Sequence, residues 1–252
     1  MESFRKVFRV NHRAGFCSAQ NFVAVDNLSF SVEQGECFCL LGVNGAGKST
    51  TFKSLTKQVE PTSGTIKIAG SEINTFFHSV KRMIGYCPQQ NLIFDYMSVE
   101  EHLYYFASIK GIPKQLRKIL VDEMIAELNL EPHRQKPAGT LSGGWKRKSQ
   151  LAQAIMGNPP VILLDEPSAG MDPESRRDMW DVIQNITRKK LSAVVLTTHS
   201  MEEAEALSTK MGIMVQGGKF KCFGSGSHIR NKYGKGYIIE IKIRVPNDED
   251  LP

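Results

Sequence analysis

Cys37-Phe38-Cys39-Leu40-Leu41-Gly42-Val43-Asn44-Gly45-Ala46-Gly47-Lys48-Ser49-Thr50 decides the architecture of this chain. Cys37 to Leu41 is apolar at every position, the pattern of a strand covered on both faces of a sheet. Gly42 to Gly47 breaks that strand, and a helix is expected from Lys48 to about Leu55. A buried strand, a turn spaced G-x-x-x-x-G-K-[ST] and a helix together make a phosphate cradle. Glycines let backbone N–H groups turn inward on phosphate oxygens, and the helix N-terminus adds positive potential. Lys48 is then placed to reach the outer phosphates, and the Ser49 hydroxyl to ligate Mg²⁺. Chance produces this spacing somewhere in a chain of this length with a probability of roughly 1%.

Further along, Val161-Ile162-Leu163-Leu164-Asp165-Glu166-Pro167 ends an apolar strand on two adjacent acids. Neighbouring strand residues face opposite sides, so the two acids divide the work. The expected division turns Asp165 toward the Mg²⁺ shell and Glu166 toward an attacking water. Carboxylates at a strand end beside a polyphosphate make sense when metal and ligand offset their charge. Ala193-Val194-Val195-Leu196-Thr197-Thr198-His199 repeats the design with a histidine at the strand's carboxyl end, where ligands bind in parallel sheets. His199 could bond the terminal phosphate and sense its loss. His12, His78, His102, His133 and His228 read as structural or exposed.

Size and composition agree with one sizeable α/β domain. The 252 residues are 41% hydrophobic and 23% charged, enough to bury a real core. The net charge of +6 suits an anionic ligand, but the basic residues (Lys53, Lys67, Lys81, Lys110) are dispersed, which argues against a nucleic-acid partner. Cys17, Cys37, Cys39, Cys87 and Cys222 include no Cys-x-x-Cys pair and read as buried thiols. No apolar run approaches the roughly 20 residues that cross a bilayer, and the amino terminus has no signal-peptide stretch.

The remaining pattern places strands at 26–33 and 36–41 with a Gln34-Gly35 turn, at 65–68 and at 84–86. Residues from about 90 to 157 are helical. Ser98 with Glu101 is a capping box for a helix that stops at Gly111, Leu116 to Leu128 carry helical spacing, and a third helix follows Gly144. Asp172 with Pro173 opens a helix closing on Arg188-Lys189-Lys190, Ser200 with Glu203 reads as a second capping box, and residues 213–223 form a hairpin.

In this order the motifs resemble the nucleotide-binding domain of ATP-binding-cassette (ABC) transporters over about residues 22–240. Gly42, Val43, Asn44, Gly45, Ala46, Gly47, Lys48, Ser49 and Thr50 match the Walker A loop that binds ATP. Gln89 resembles the Q-loop glutamine, with a part in catalysis and in holding Mg²⁺ beside Ser49 and Asp165. Ser142, Gly143 and Gly144 resemble the signature turn, Glu166 the catalytic base, residues 168–172 the D-loop and His199 the switch histidine. The wording of residues 35–45, 84–89 and 221–225 is most similar to subfamily A, largely lipid movers.

The resemblance implies a P-loop NTPase of ABC type: a mixed sheet core, an antiparallel β subdomain and a helical subdomain at about 90–157. The cassette is expected to fill residues 1–240, with 241–252 an extension leading into a further element. It implies two cassettes packed head to tail, each ATP held between one Walker A and the other's signature turn. It also implies transmembrane partner domains and a place on the cytoplasmic face of a membrane. Leu92 to Met97 are expected to touch those domains, Tyr104 and Tyr105 to pack inward. Lys146, Arg147 and Lys148 crowd the positive end of a helix, and either an anion from a partner or solvent relieves them. Two departures stand out: Trp145 replaces the family's glutamine, and Phe8 and Phe16 both compete for the adenine-stacking position, because Asn11 to Asn21 reads as an insertion. Alternatives are a slow regulatory cassette, suggested by Trp145, and a soluble ABC ATPase outside transport.

Overall fold

The computed structural model describes residues 1–10 and 20–233. In chain order the elements are β1 (Glu2–Val10), β2 (Gln20–Leu28), β3 (Cys37–Gly42), α1 (Lys48–Leu55), β4 (Ser63–Thr65), β5 (Lys67–Ile68), β6 (Ser71–Glu72), α2 (Ile73–Val80) and β7 (Ile84–Cys87). They continue with α3 (Val99–Ile109), α4 (Lys114–Glu127), α5 (Gly143–Ile155), β8 (Val161–Asp165), α6 (Pro173–Arg188), β9 (Ala193–Thr198), α7 (Met201–Leu207), β10 (Lys210–Val215), β11 (Lys219–Gly224) and α8 (Gly226–Tyr233).

The central sheet runs β11-β10-β3-β9-β8-β7. Every neighbour pair is parallel except β10 with β11, the hairpin at the edge. A smaller antiparallel sheet, β2-β1-β4, lies outside it. This is the mixed sheet, antiparallel unit and helical insertion that the motifs imply.

Alternation along the central strands feeds two cores. Cys37, Cys39 and Leu41 of β3 join Ile162, Leu164 and Leu196 in a core shared with Leu103, Ile125 and Leu151 of the helices. Phe38 and Leu40 point the other way, with Leu163, toward Phe52 of α1 and Phe4 and Leu28 of the antiparallel sheet. A continuous apolar strand is required because both faces are covered. Each such side chain, fully buried, contributes about 1.5–3 kcal/mol. Burial also pushes the Cys37 thiol up to about 12 and Cys87 up to about 11, so these cysteines are inert packing groups. Cys17 lies outside the described residues.

Three local expectations are corrected. The strand expected at 26–33 is β2, ending at Leu28; Phe30 and Val32 alternate because they pack on the second core, with Phe30 stacked 4.8 Å from Phe38. The run at 65–68 splits, Thr65 pairing with β1 and Lys67-Ile68 with β6. Ser200 caps α7 by accepting the Glu203 N–H at 3.3 Å, but the Glu203 carboxylate does not reach back. At Ser98 and Glu101 both halves of the capping box form. The extension expected at 241–252 lies outside the described residues.

Candidate functional site

The turn after β3 is held open by glycine. Gly47 has φ 102°, and a Cβ there would lie 2.6 Å from the Ala24 carbonyl oxygen, so strand β2 presses on a position only glycine fits. Gly42 is confined likewise by the Met214 carbonyl oxygen at 2.6 Å. Lys48, the first residue of α1, is 5% exposed; its Nζ donates to the Gly42 carbonyl at 2.6 Å and to the Val43 carbonyl at 3.3 Å. The loop opens on a cavity of about 200 Å³ lined by Gly45, Lys48, Ser49, Thr50, Gln89, Glu166 and Phe22.

Glu166 stands at the centre. Strand β8 ends at Asp165, and Glu166 takes a left-handed backbone with φ 47°. A non-glycine residue held there stores about 1–3 kcal/mol, and the turn re-aims the side chain. The strain is retained by two bonds that the Glu166 N–H donates, to the Thr197 carbonyl at 3.1 Å and to the Thr197 hydroxyl oxygen at 3.0 Å. The carboxylate thereby reaches three loops: Oε1 lies 3.7 Å from Lys48 Nζ, while Oε2 accepts from Gln89 Nε2 at 3.2 Å and lies 3.4 Å from His199 Nδ1. Asp165 is 7% exposed, its Oδ1 accepting the Thr197 hydroxyl at 2.6 Å. Desolvation raises its carboxyl above the ordinary range, and the Thr197 bond opposes part of that.

A second cavity, of about 270 Å³, shares Glu166 as a wall and is bordered by Ser168, Arg176, His199 and Glu203. Glu203 is 3% exposed and accepts the Ser168 hydroxyl at 2.6 Å and the Trp180 indole N–H at 3.2 Å. It thus ties the loop after Glu166 to the helix after His199. Nothing in the spacing of Glu203 distinguished this role from helix capping.

Lys48, Ser49, Gln89, Glu166 and His199 therefore converge. Ser142, Gly143 and Gly144 do not: they start α5 away from the cavity, with Ser142 and Gly143 exposed. Trp145 packs inside the chain, its ring 4.4 Å from His133 and 4.7 Å from Lys148 Nζ. The expectation of solvated or anion-seeking cations at 146–148 is overturned at two positions. Lys148 is buried against Asp178 at 2.8 Å, and Arg147 is buried among main-chain carbonyls. Among the described residues, the aromatic side chain on the cavity wall is Phe22. Phe8 pairs opposite it across β1 and β2 without lining the cavity, and Phe16 lies outside the described residues. The available signal was position: Phe22 lies just ahead of Ala24, in the strand that presses on Gly47. Leu92, Phe94 and Tyr96 are exposed, Tyr96 almost fully, whereas Ile93 and Tyr104 pack on the core. Tyr105 is more open than expected, set edge-on to Phe94 and Phe106.

A parallel sheet with a glycine cradle and converging acid, amide and histidine at its strand ends defines a P-loop nucleoside-triphosphate-binding domain. Residues 25–169 match the family model for ABC transporters, and the chain belongs to that family. It is 47% identical over 246 residues, 98% of its length, to the retinal-specific phospholipid-transporting ATPase ABCA4 of Bos taurus, and 48% identical over 226 residues, 88% of its length, to ATP-binding cassette sub-family A member 13 of Homo sapiens. It covers 11% of the first and 4% of the second, so the chain spans about a tenth or less of these relatives. Among solved structures, the ATP-binding subunit of an ABC transporter matches with TM-score 0.77 at 27% identity, over 92% of each chain. The expected likeness to subfamily A holds.

Proposed function

We propose that this chain binds ATP with Mg²⁺ and hydrolyses it, and that hydrolysis drives an ABC transporter whose cargo is lipid. The observation that carries this reading is the convergence on Glu166, whose two oxygens face Lys48, Gln89 and His199 at the wall shared by the two cavities. Glu166 acts as the general base on water, and Gln89 and His199 arrange the water and the γ-phosphate. Lys48 and the amides of residues 42–50 hold the phosphates, and Phe22 offers a face to the adenine.

The donors suit Mg²⁺. Ser49 offers a hydroxyl, Asp165 a carboxylate, and Gln89 a carbonyl oxygen left over when its amide N–H bonds Glu166. These are hard oxygen ligands, too few to enclose the ion alone, as expected where phosphates and water complete the shell. Among the described residues no cluster of three or more His, Cys, Asp or Glu could hold a metal by itself.

Ser142 and Gly143 are exposed and do not line the cavity, which supports their serving the nucleotide of a second cassette packed head to tail. No described helix is long and apolar enough to cross a membrane. The proposal includes transmembrane domains as further parts of the transporter, with this chain at the cytoplasmic face. Exposed Leu92, Phe94 and Tyr96 are the surface offered to them. The lipid assignment rests on the phospholipid-transporting ATPase among the relatives. A slow regulatory cassette is the second reading, favoured by Trp145 being committed to His133 and Lys148.

Purified Glu166→Gln protein should bind ATP like the parent and lose turnover by about 10²–10⁴-fold, the usual contribution of a positioned base. Parental turnover in that variant would place the base elsewhere. A parent without turnover would favour the regulatory reading.

A further inference from the structure

Arg147 lies one turn into α5, just past the signature turn, and is 4% exposed. Its partners are main-chain carbonyls and one amide, with no carboxylate among them. Nε donates to the Pro167 carbonyl at 2.9 Å, and Nη2 donates to those of Asp165 at 2.6 Å and Glu166 at 2.9 Å. Nη1 faces the Pro88 carbonyl, the Gln89 carbonyl at 3.1 Å and Gln150 Oε1 at 2.9 Å. The five N–H groups of a guanidinium are all engaged. Gln150, almost one turn on, extends the set by donating to the Gln90 carbonyl at 2.8 Å.

The placement explains the choice of residue. Strands β7 and β8 are parallel neighbours whose ladder reaches Cys87 opposite Leu164. Just beyond, β7 has ended and β8 stays paired only with β9, leaving carbonyls that the β7–β8 ladder no longer serves. Those carbonyls belong to the segments that carry Gln89 and Glu166. An uncompensated cation in such a place is costly, and only a dense shell of carbonyl dipoles offsets it.

We propose that Arg147 is a positioning residue for hydrolysis: it fastens the backbones of Gln89 and Glu166 to the signature helix, so that displacement of α5 is transmitted to both side chains. This rests on the roles given above to Glu166 and Gln89. Arg147 itself lines neither cavity. It acts through the φ 47° turn at Glu166, whose own carbonyl it holds.

Lysine keeps the charge and approximate length but concentrates three donors on one atom, so it cannot span two loops. Arg147→Lys in this chain should lower kcat at least ~10-fold while the Mg·ATP dissociation constant stays within ~3-fold, the pattern of a lost transition-state interaction. Amide hydrogen exchange at 89–90 and 166–171 should quicken at least ~10-fold, with α6 and α1 unchanged. Arg147→Met, which removes every donor, should show the same losses in larger measure. A folded Arg147→Lys protein with parental kcat and parental exchange in both loops overturns the proposal. So does a loss of rate that tracks only the fraction of protein unfolded. If the parent turns over no faster than Glu166→Gln, the functional reading fails on its own account, and the exchange measurement alone decides whether the tie exists.

Discussion

The Thr197 hydroxyl lies 2.6 Å from Asp165 Oδ1 and, at 3.0 Å, also accepts the N–H of Glu166. One side chain on β9 thus fixes both acids at the end of β8, and the cost of burying Asp165 shows in its raised carboxyl pKa, caused first by desolvation. A carboxyl raised in the folded state favours the fold when protonated, so that contribution is present at low pH and is lost as pH rises through the folded value. At neutral pH the ionised Asp165 therefore burdens the empty fold. Asp165→Asn keeps the acceptor for Thr197 and removes the charge. It should raise the nucleotide-free melting temperature at pH 7 by about 2–4 °C per kcal/mol relieved. The gap should close as pH falls to the carboxyl range, and Mg²⁺-dependent turnover should be lost. Calorimetric melts across pH check this.

Phe22 gives a second test. It is 55% exposed yet walls the cavity on the side where β2 crosses the phosphate turn. Stacking a base on an aromatic ring is worth about 1–3 kcal/mol, so Phe22→Ala should weaken Mg·ATP binding by roughly 5- to 150-fold. Because any base presents a π-face, the loss for Mg·GTP should be similar. Phe8→Ala should leave both affinities near the parental value.

The Glu203 carboxylate should matter to stability. Glu203→Ala strands the buried Ser168 hydroxyl and the Trp180 N–H. Leaving a buried donor unsatisfied costs about 1–3 kcal/mol, with the part-buried Trp180 N–H at the low end, read as a lower urea midpoint with unchanged slope. Trp180→Phe removes one donor and should cost less.

Much of this was legible in sequence because it depends on local rules. The Gly42–Ser49 spacing, the covered strand at Cys37–Leu41 and the acids closing 161–166 each state their own context, and the structure brings Lys48, Gln89, Glu166 and His199 to one place. What escaped depends on long-range pairing. Strand β1 is polar-rich and gains its meaning from β2 and β4. Phe22 is identified by what it faces across the loop. Arg147 looked like a solvated or anion-seeking cation because its carbonyl partners come from segments about 20 and 60 residues away. Trp145 signalled a departure from the family, and only packing shows its ring against His133.

The account depends most on the turn at 42–49 gripping a magnesium-bound triphosphate, and titration calorimetry reads that directly. The parent chain should release heat on binding Mg·ATP, and Lys48→Ala, which removes the buried ammonium 3.7 Å from Glu166, should lose most of that affinity. A parent that shows no binding, or a Lys48→Ala isotherm that overlays the parent's, would contradict it.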